Sequence, residues 1–292
     1  MLVPFPPGGG TDVAARALGE QLTRDLGQPV VVDNRPGGNS VIATEALARS
    51  PADGHTLLLT TDFHSINAAF GAGLPYDSLK DFAFVARVST SPLMLVTYPA
   101  TGINSLGDAV ARARAHPGKL SFASLGTSSP HYLGFEWFKR MANVEVIDVP
   151  YKGGGPALAA VMGGQVTLSF IVASNGIRQA QAGKLVALAV TGPARASVAP
   201  GVPTFAESGY SEFTMLNWYG ILAPAGTPRM VVQRLNAFLV SALKAAEVHA
   251  RLATAGVDAA PSTPEELEAW VRADIARYRR MIELTGARPE GR

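Results

Sequence analysis

The sequence contains no cysteine, which excludes disulfides, thiolate nucleophiles and cysteine-ligated metals. It also lacks a long apolar run, and no stretch approaches the roughly 18 to 20 residues that span a bilayer as a helix. Only 16% of the 292 residues are charged, and the formal net charge is +2 with scattered basic residues. Because no basic stripe is available to follow a phosphate backbone, we expect no nucleic-acid partner.

The sequence motifs of several common catalytic sites are absent as well. It contains no G-x-S-x-G elbow, no H-E-x-x-H metal motif, no Walker loop and no G-x-G-x-x-G dinucleotide fingerprint. The five histidines lie far apart and show no metal-ligand spacing. We therefore expect no catalytic residues, no metal and no cofactor.

What is present is the composition of a folded α/β protein, with 47% hydrophobic residues, 30 glycines and 21 prolines. Short apolar runs alternate with longer helical patterns, which indicates βαβ units and a mostly parallel sheet. The predicted strands are Leu2–Phe5, Val30–Asp33, Thr56–Thr60, Phe84–Val88, Leu93–Tyr98, Leu120–Ala123, Val144–Val149, Val166–Val172, Leu185–Thr191 and Tyr219–Ala223. The predicted helices are Asp12–Leu26, Leu106–Ala115, Tyr132–Ala142, Ala157–Met162, Arg229–Ala245 and Pro264–Thr285.

Several helix starts carry capping signals. Thr263, followed by a proline and then Glu266, predicts a capping box. Thr227 with Pro228 predicts a cap and a first-turn proline, and Ser105 predicts a weaker cap. The length suggests two lobes, and the C-terminal helices suggest a return of the chain to the first lobe. We predict lobe 1 at residues 1–98 plus 221–292, and lobe 2 at residues 99–220.

Three glycine-rich turns lie between a predicted strand and a predicted helix, at residues 6–12, 124–130 and 151–156. A helix start offers unpaired N–H donors and the positive end of the helix dipole, and glycine lets a ligand oxygen approach the backbone. In α/β folds such turns lie at the carboxyl ends of strands, where ligand crevices form. Each turn alone is more typical of a tight strand-to-helix connection, but the three together predict a site for an anion between the lobes.

A few side chains near these turns are candidate ligand contacts. His131 falls in the first turn of a predicted helix, where it reaches a ligand, is solvated or caps locally. Lys152 is the cation inside the third turn. Asp12 is better interpreted as a carboxylate that complements the dipole of its own helix. Among aromatic residues at strand ends, Phe63 and Trp218 are predicted to face the cleft in part, with burial in the core as the alternative.

End to end, the chain resembles the solute receptors of tripartite tricarboxylate transporters, the Bug family. The resemblance is carried by phrases in matching order at residues 3–12, 30–38, 53–57, 74–77, 117–120, 149–153, 163–166, 202–204 and 223–228. It implies a two-lobed periplasmic binding-protein fold of type II, with a ligand cleft between the lobes. One departure is Thr167, where family members commonly have an aspartate.

The resemblance further implies a monomeric receptor that binds a small mono- or dicarboxylate in the periplasm, including an amino or aromatic acid, and delivers it to membrane transporter subunits without catalysis. We expect any export leader to be absent from this sequence. The ligand-binding residues predicted from the turns and the resemblance together are Phe5, Pro7, Gly8, Gly9, Thr11, Phe63, Gly126, Ser128, Ser129, His131, Tyr151, Lys152, Gly153 and Trp218. Two alternatives remain open, a sensory module for a membrane-bound partner and an enzyme acting on an organic acid.

Overall fold

The computed structural model describes residues 1–71 and 73–289, and the chain divides into two compact units. Unit 1 comprises Met1–Thr90 and Trp218–Arg279, and unit 2 comprises Ser91–Asn217 and the residues from Arg280 onward. None of the helices in the described residues is both long and apolar enough to span a membrane.

Strands and helices alternate along the chain, as the sequence predicts, but the helices at residues 41–48, 63–70, 173–181 and 246–254 were not predicted. The helices are α1 (Gly10–Leu26), α2 (Val41–Ala48), α3 (Phe63–Phe70), α4 (Leu106–Ala115), α5 (Pro130–Ala142), α6 (Gly154–Met162), α7 (Ala173–Gln181), α8 (Arg229–Lys244), α9 (Ala246–Thr254) and α10 (Pro264–Thr285). The strands are β1 (Leu2–Val3), β2 (Asp33–Asn34), β3 (Leu58–Thr61), β4 (Phe82–Thr97), β5 (Ser121–Ser124), β6 (Ile147–Pro150), β7 (Leu168–Val172), β8 (Val186–Val190) and β9 (Leu216–Pro224).

Unit 1 is built on a mixed sheet with the strand order β2-β1-β3-β9-β4. β1 lies parallel to β2 and β3, whereas β9 pairs antiparallel with β3. Successive side chains on a strand point to opposite faces of the sheet. Leu59 and Ile221 therefore pack in the core beneath α1, α8 and α9, while Leu58 and Leu222 pack with α2 and α10 on the other face.

The second part of β4 belongs to the sheet of unit 2, in the order β8-β4-β7-β5-β6. β5 lies parallel to β7 and β6, and β4 pairs antiparallel with β7 and β8. Phe122 faces α4 and α5 in an aromatic core, whereas Ala123 faces α6 and α7. The carboxyl ends of β7, β5 and β6 therefore share one edge of the sheet. Both sheets are mixed rather than mostly parallel, because β9 runs antiparallel to β3 in unit 1 and β4 runs antiparallel to β7 and β8 in unit 2.

The predicted bounds of α4 and α10 agree with the structure, and so do two of the caps. Thr263 N–H donates to Glu266 Oε2 at 2.9 Å, and Glu266 N–H donates to Thr263 Oγ1 at 3.2 Å. Ser105 Oγ accepts the Asp108 N–H at 3.0 Å. The cap predicted at Thr227 is wrong, because its hydroxyl donates to the Pro224 carbonyl and α8 begins only after Pro228.

The boundaries of the two units differ from the predicted lobe boundaries at each point where the chain passes from one unit to the other. Residues 91–98 fall in unit 2, because Leu93–Thr97 pairs with β7 and β8. Residues 218–220 fall in unit 1, where Tyr219 and Gly220 pair with β3. In α10 the boundary lies after Arg279. The two strands predicted at residues 84–88 and 93–98 form the single strand β4, since the polar stretch between them is also extended.

Candidate functional site

The first glycine turn is stabilised by hydrogen bonds to the buried side chain of Asp12, which lies in the first turn of α1. Asp12 is 4% exposed, and its Oδ2 atom accepts the Gly8 N–H at 3.0 Å and Arg16 Nε at 2.9 Å. Its Oδ1 atom accepts Asn34 Nδ2 at 3.0 Å, and the same amide group donates to the Phe5 carbonyl at 3.1 Å. The bond from Arg16 outweighs burial and lowers the pKa of Asp12. The Gly8 amide, predicted to bind the ligand, is thus used internally.

The amides that follow Gly8 are available to a ligand. Within the described residues, the N–H groups of Gly9, Gly10 and Thr11 have no acceptor, as expected for the first turn of a helix. Gly8 has φ of +90°, and a Cβ atom placed on Gly8 or Gly9 would meet nothing within 4 Å. Pro7 is exposed and has no N–H to offer. The turn therefore presents three donors beside open space.

Two of the predicted aromatic residues lie together beside this turn. The rings of Phe5 and Phe63, both partly buried, meet edge to face with centroids 5.6 Å apart. Phe63 begins α3, and Phe5 follows β1, which is the parallel neighbour of β3. The pair forms an apolar wall at the carboxyl ends of two adjacent strands.

Trp218 is a core residue, which corrects the prediction that it faces a cleft. It is 0% exposed, and its indole N–H donates to Asp274 Oδ2 at 2.8 Å. Its neighbour Tyr219 points to the opposite face of β9, where a Cβ atom on Gly10 would lie 3.0 Å from the Tyr219 hydroxyl oxygen. Burial raises the pKa of Tyr219, so its hydroxyl is a neutral donor beside the free amides of α1. Because successive side chains on a strand point to opposite faces of the sheet, only one of Trp218 and Tyr219 is able to lie beside the start of α1.

In unit 2, some polar groups of the second glycine turn also form hydrogen bonds within the protein. The Gly126 N–H donates to Ser124 Oγ at 3.3 Å, and Ser129 caps α5 by accepting the Tyr132 N–H at 3.2 Å. Ser128 and Ser129 are buried. These contacts give Gly126 and Ser129 structural roles in the turn.

His131, in the first turn of α5, keeps unused hydrogen-bonding capacity. Among the described residues, its backbone N–H has no acceptor, and its buried Nδ1 atom has no hydrogen-bond partner. Burial lowers the pKa of His131 to about 4, so the ring is neutral near pH 7. A neutral imidazole is able to donate one hydrogen bond and accept another.

The third turn offers the amide of one predicted residue, Lys152, and two amides that were not predicted. The Tyr151 N–H donates to the Ser124 carbonyl at 2.9 Å, and the Gly153 N–H donates to the Tyr151 carbonyl at 3.0 Å. The free donors in the described residues are instead the amides of Lys152, Gly154 and Gly155, next to the exposed side chain of Lys152. A Cβ atom on Gly154 or Gly155 would meet nothing within 4 Å.

A further helix start at the same edge of the unit 2 sheet was not predicted. α7 begins directly after β7, without the glycine and proline residues that mark the other turns. The Ser174 hydroxyl lies buried in its first turn with no partner among the described residues. By contrast, Thr167 has a structural role, because its Oγ1 atom accepts the Ser121 N–H at 3.2 Å. That bond joins the segment before β7 to β5, so Thr167 is already used within the sheet.

The helix starts described above share one chemical property. Their available groups are neutral donors, namely backbone N–H groups and hydroxyls, and such groups bind a carboxylate without a buried countercharge. No group of three or more histidine, aspartate or glutamate side chains in residues 1–71 and 73–289 is arranged to bind a metal ion.

Comparison with known proteins agrees with this chemistry. The family described as "Tripartite tricarboxylate transporter family receptor" matches residues 14–287. The chain belongs to this family. The chain is also similar to protein BugT of Bordetella pertussis, which is 37% identical over 290 residues, 99% of this chain and 89% of BugT.

Solved structures confirm the periplasmic binding-protein fold of this receptor-family chain. The R. palustris protein Rpa4515, solved with adipate, is 32% identical with a TM-score of 0.88, covering 99% of this chain and 97% of that one. MatC from Rhodopseudomonas palustris, solved with bound malate, is 30% identical with a TM-score of 0.82, covering 96% and 97%. The periplasmic binding protein BugD is 30% identical with a TM-score of 0.85, covering 98% and 97%.

Proposed function

We propose that this protein is an extracytoplasmic receptor that binds a small organic mono- or dicarboxylate and delivers it to the membrane subunits of a tripartite tricarboxylate transporter. Family membership supports the receptor role, and the relatives solved with adipate and malate support an organic acid as ligand. We further propose that it works in the periplasm as a monomer.

The observation that carries the proposal is the start of α1. Asp12 occupies the Gly8 amide, so the N–H groups of Gly9, Gly10 and Thr11 remain for a ligand. The Tyr219 hydroxyl lies close to Gly10 and adds a neutral donor. Donors of this kind stabilise a carboxylate, whereas an ammonium group finds among them only the Tyr219 hydroxyl oxygen as an acceptor. The Phe5–Phe63 pair favours an aliphatic or aromatic body next to the acidic group.

Unit 2 is proposed to contribute its own donors, the free amides of His131, Lys152, Gly154 and Gly155. Ordered waters between these amides and an acid would let the site accept varied carboxylates. The expectation that one ligand is bound by both units stays a prediction. Variants in each unit test it separately.

Calorimetric titration against a panel of acids that includes adipate, malate, glutamate and benzoate tests the proposal. Gly9→Ala adds a methyl group beside the free amides without a clash in the protein. We expect it to weaken the best-bound acid at least tenfold, and Tyr219→Phe to do the same. Gly201→Ala is the matched control, since its added Cβ atom also meets nothing within 4 Å and it lies outside the helix starts. Failure of every acid to bind the folded protein, or unchanged affinity in Gly9→Ala, would contradict the proposal.

The same geometry supports binding without catalysis. Asp12, in the first turn of the same helix, accepts three hydrogen bonds within the protein and is a poor general base. We expect the NMR spectrum of each bound acid to remain unchanged over a day at 37 °C. Turnover that is lost in Asp12 or His131 variants would favour the enzyme alternative. Crosslinking to transporter subunits, rather than to a sensor protein, would support delivery.

A further inference from the structure

A second group of polar side chains lies buried in unit 1, between α3 and α10. Asp62 ends the connection from β3 to α3 and is 1% exposed, and Ser65 in the first turn of α3 is 0% exposed. Asp274 and Tyr278, one helical turn apart on α10, are 2% and 0% exposed. Arg277 completes the group, with its side chain 28% exposed.

Asp274 has partners on both of its oxygens. Trp218 Nε1 donates to its Oδ2 atom at 2.8 Å, and Arg277 forms an ion pair with its Oδ1 atom. The Ser65 hydroxyl lowers the pKa of Asp274 from nearby, although it makes no hydrogen bond of normal geometry. These contacts connect β9, α3 and α10 around one carboxyl group.

Four buried polar atoms of the group have no partner among the described residues. They are Asp62 Oδ2, Ser65 Oγ, Arg277 Nε and Tyr278 Oη. Buried polar groups in native proteins are almost always satisfied, either by protein or by ordered water. Several orphaned atoms in one place therefore indicate a bound molecule rather than independent defects.

The chemistry of these atoms selects the molecule. The site combines a donor N–H, two hydroxyls that donate or accept, and a carboxyl group. A metal cation is disfavoured because the Arg277 guanidinium already neutralises Asp274, and an anion is disfavoured by the two carboxyl groups. Water both donates and accepts, and buried waters in proteins typically make about three hydrogen bonds.

We propose that Asp62, Ser65, Arg277 and Tyr278 form a binding site for ordered water, which connects the start of α3 to α10 through hydrogen bonds. The site adjoins the proposed carboxylate contacts, because Tyr219 interacts electrostatically with Asp62 and Phe63 directly follows Asp62 in the chain, but it shares no residue with them. It stabilises the first turn of α3, the turn that carries Phe63.

The charge state of Asp62 follows from its surroundings. Burial raises the pKa of Asp62 well above its usual range, and the Asp274 charge adds to this, while Thr61, the Phe63 N–H and Arg277 oppose it. The facing groups are Asp274, Arg277 and Tyr278 from α10 and Tyr219 from β9. The raised pKa favours the protonated carboxyl group, which is able to donate a hydrogen bond to a water molecule and to accept another.

Conservative variants test the water site, because the proposal predicts that removing a hydroxyl lowers stability, whereas an unpaired hydroxyl would be removed without loss. If water satisfies the hydroxyls, Tyr278→Phe and Ser65→Ala each remove a hydrogen bond, and we expect the folding equilibrium constant in urea titrations to fall roughly tenfold. If the hydroxyls are truly unpaired, removing them leaves the constant unchanged or raises it, which would overturn the proposal. Tyr98→Phe, at a partly exposed tyrosine of unit 2, is the control and should have no effect.

The pH dependence of unfolding gives an independent readout. Because folding raises the pKa of Asp62, its contribution is fully present below about pH 4 and is lost as pH rises through the folded value. Between the unfolded and folded pKa values of Asp62, the folding equilibrium constant of the native protein should fall about tenfold per pH unit because of this group. Asp62→Asn keeps the shape of the side chain but does not titrate, so the variant should lack this fall. The exposed Asp25→Asn control should keep the original slope. An unchanged slope in Asp62→Asn, or a high-resolution crystal structure without water at Asp62 Oδ2, would refute the proposal.

Discussion

Replacing Asp12 by alanine tests whether the first glycine turn owes its shape to one carboxylate. The change removes the acceptor of the Gly8 N–H and one acceptor of Asn34, and it ends the contact with Arg16. A hydrogen bond to a charged group contributes about 1.5–3 kcal/mol. Gly8 is exposed, so water partly replaces its lost bond. We expect the free energy of unfolding to fall by about 2–4 kcal/mol.

Amide hydrogen exchange gives the local readout for the same variant. In the native protein the Gly8 amide should exchange about tenfold or more slowly than the neighbouring Gly9 amide, since roughly 1.4 kcal/mol corresponds to a factor of ten. In Asp12→Ala this difference should disappear, and affinity for the best-bound acid should fall with it.

Arg16→Ala is the matched control for Asp12→Ala. It removes the half-exposed partner of the ion pair but leaves the bonds from Gly8 and Asn34 in place. We expect it to cost less than about 1 kcal/mol and to preserve the protection of Gly8. Equal exchange rates at Gly8 and Gly9 in the native protein would refute the reasoning.

Two further predictions concern a cap and a buried histidine. Thr263→Ala should lower the free energy of unfolding by about 1 kcal/mol in urea titrations, because it removes the acceptor of the Glu266 N–H. Thr254→Ala, at an exposed threonine, is the control, and an equal loss in the two variants would contradict this prediction. His131 should titrate near pH 4 in NMR spectra, against about 6.5 when unfolded. The protein should therefore lose stability as pH falls from about 6.5 through 4, and His131→Gln should lack that contribution; titration of His131 near 6.5 would show that the ring is solvated.

The sequence was sufficient for the elements with strong local signals. Pro264–Thr285 was predicted at its observed bounds because a capping box marks its start, and Leu106–Ala115 because Ser105 marks its own. α2, α3 and α7 were missed because none of them has a side-chain cap, and α7 follows its strand without an intervening turn. α9 was missed because a single extended residue, Ala245, separates it from α8.

For the candidate site, the sequence located the turns but not the atoms that are free within them. Glycine and proline spacing identified the three helix starts, whereas the loss of the Gly8 amide to Asp12 depends on a side-chain position that spacing does not encode. The choice between Trp218 and Tyr219 likewise required the register of β9 against β3, which places Tyr219 opposite Thr61. Long-range pairing of this kind is set by tertiary structure and not by local pattern.

The position of β9 in the unit 1 sheet has a consequence for synthesis on the ribosome. β3 remains an unpaired sheet edge until Leu216–Pro224 has been made, some 155 residues later, whereas most of unit 2 is continuous in the chain. Chain closure over such a separation is slow, and exposed edges favour aggregation. The middle of this protein should therefore complete its folding before its beginning does.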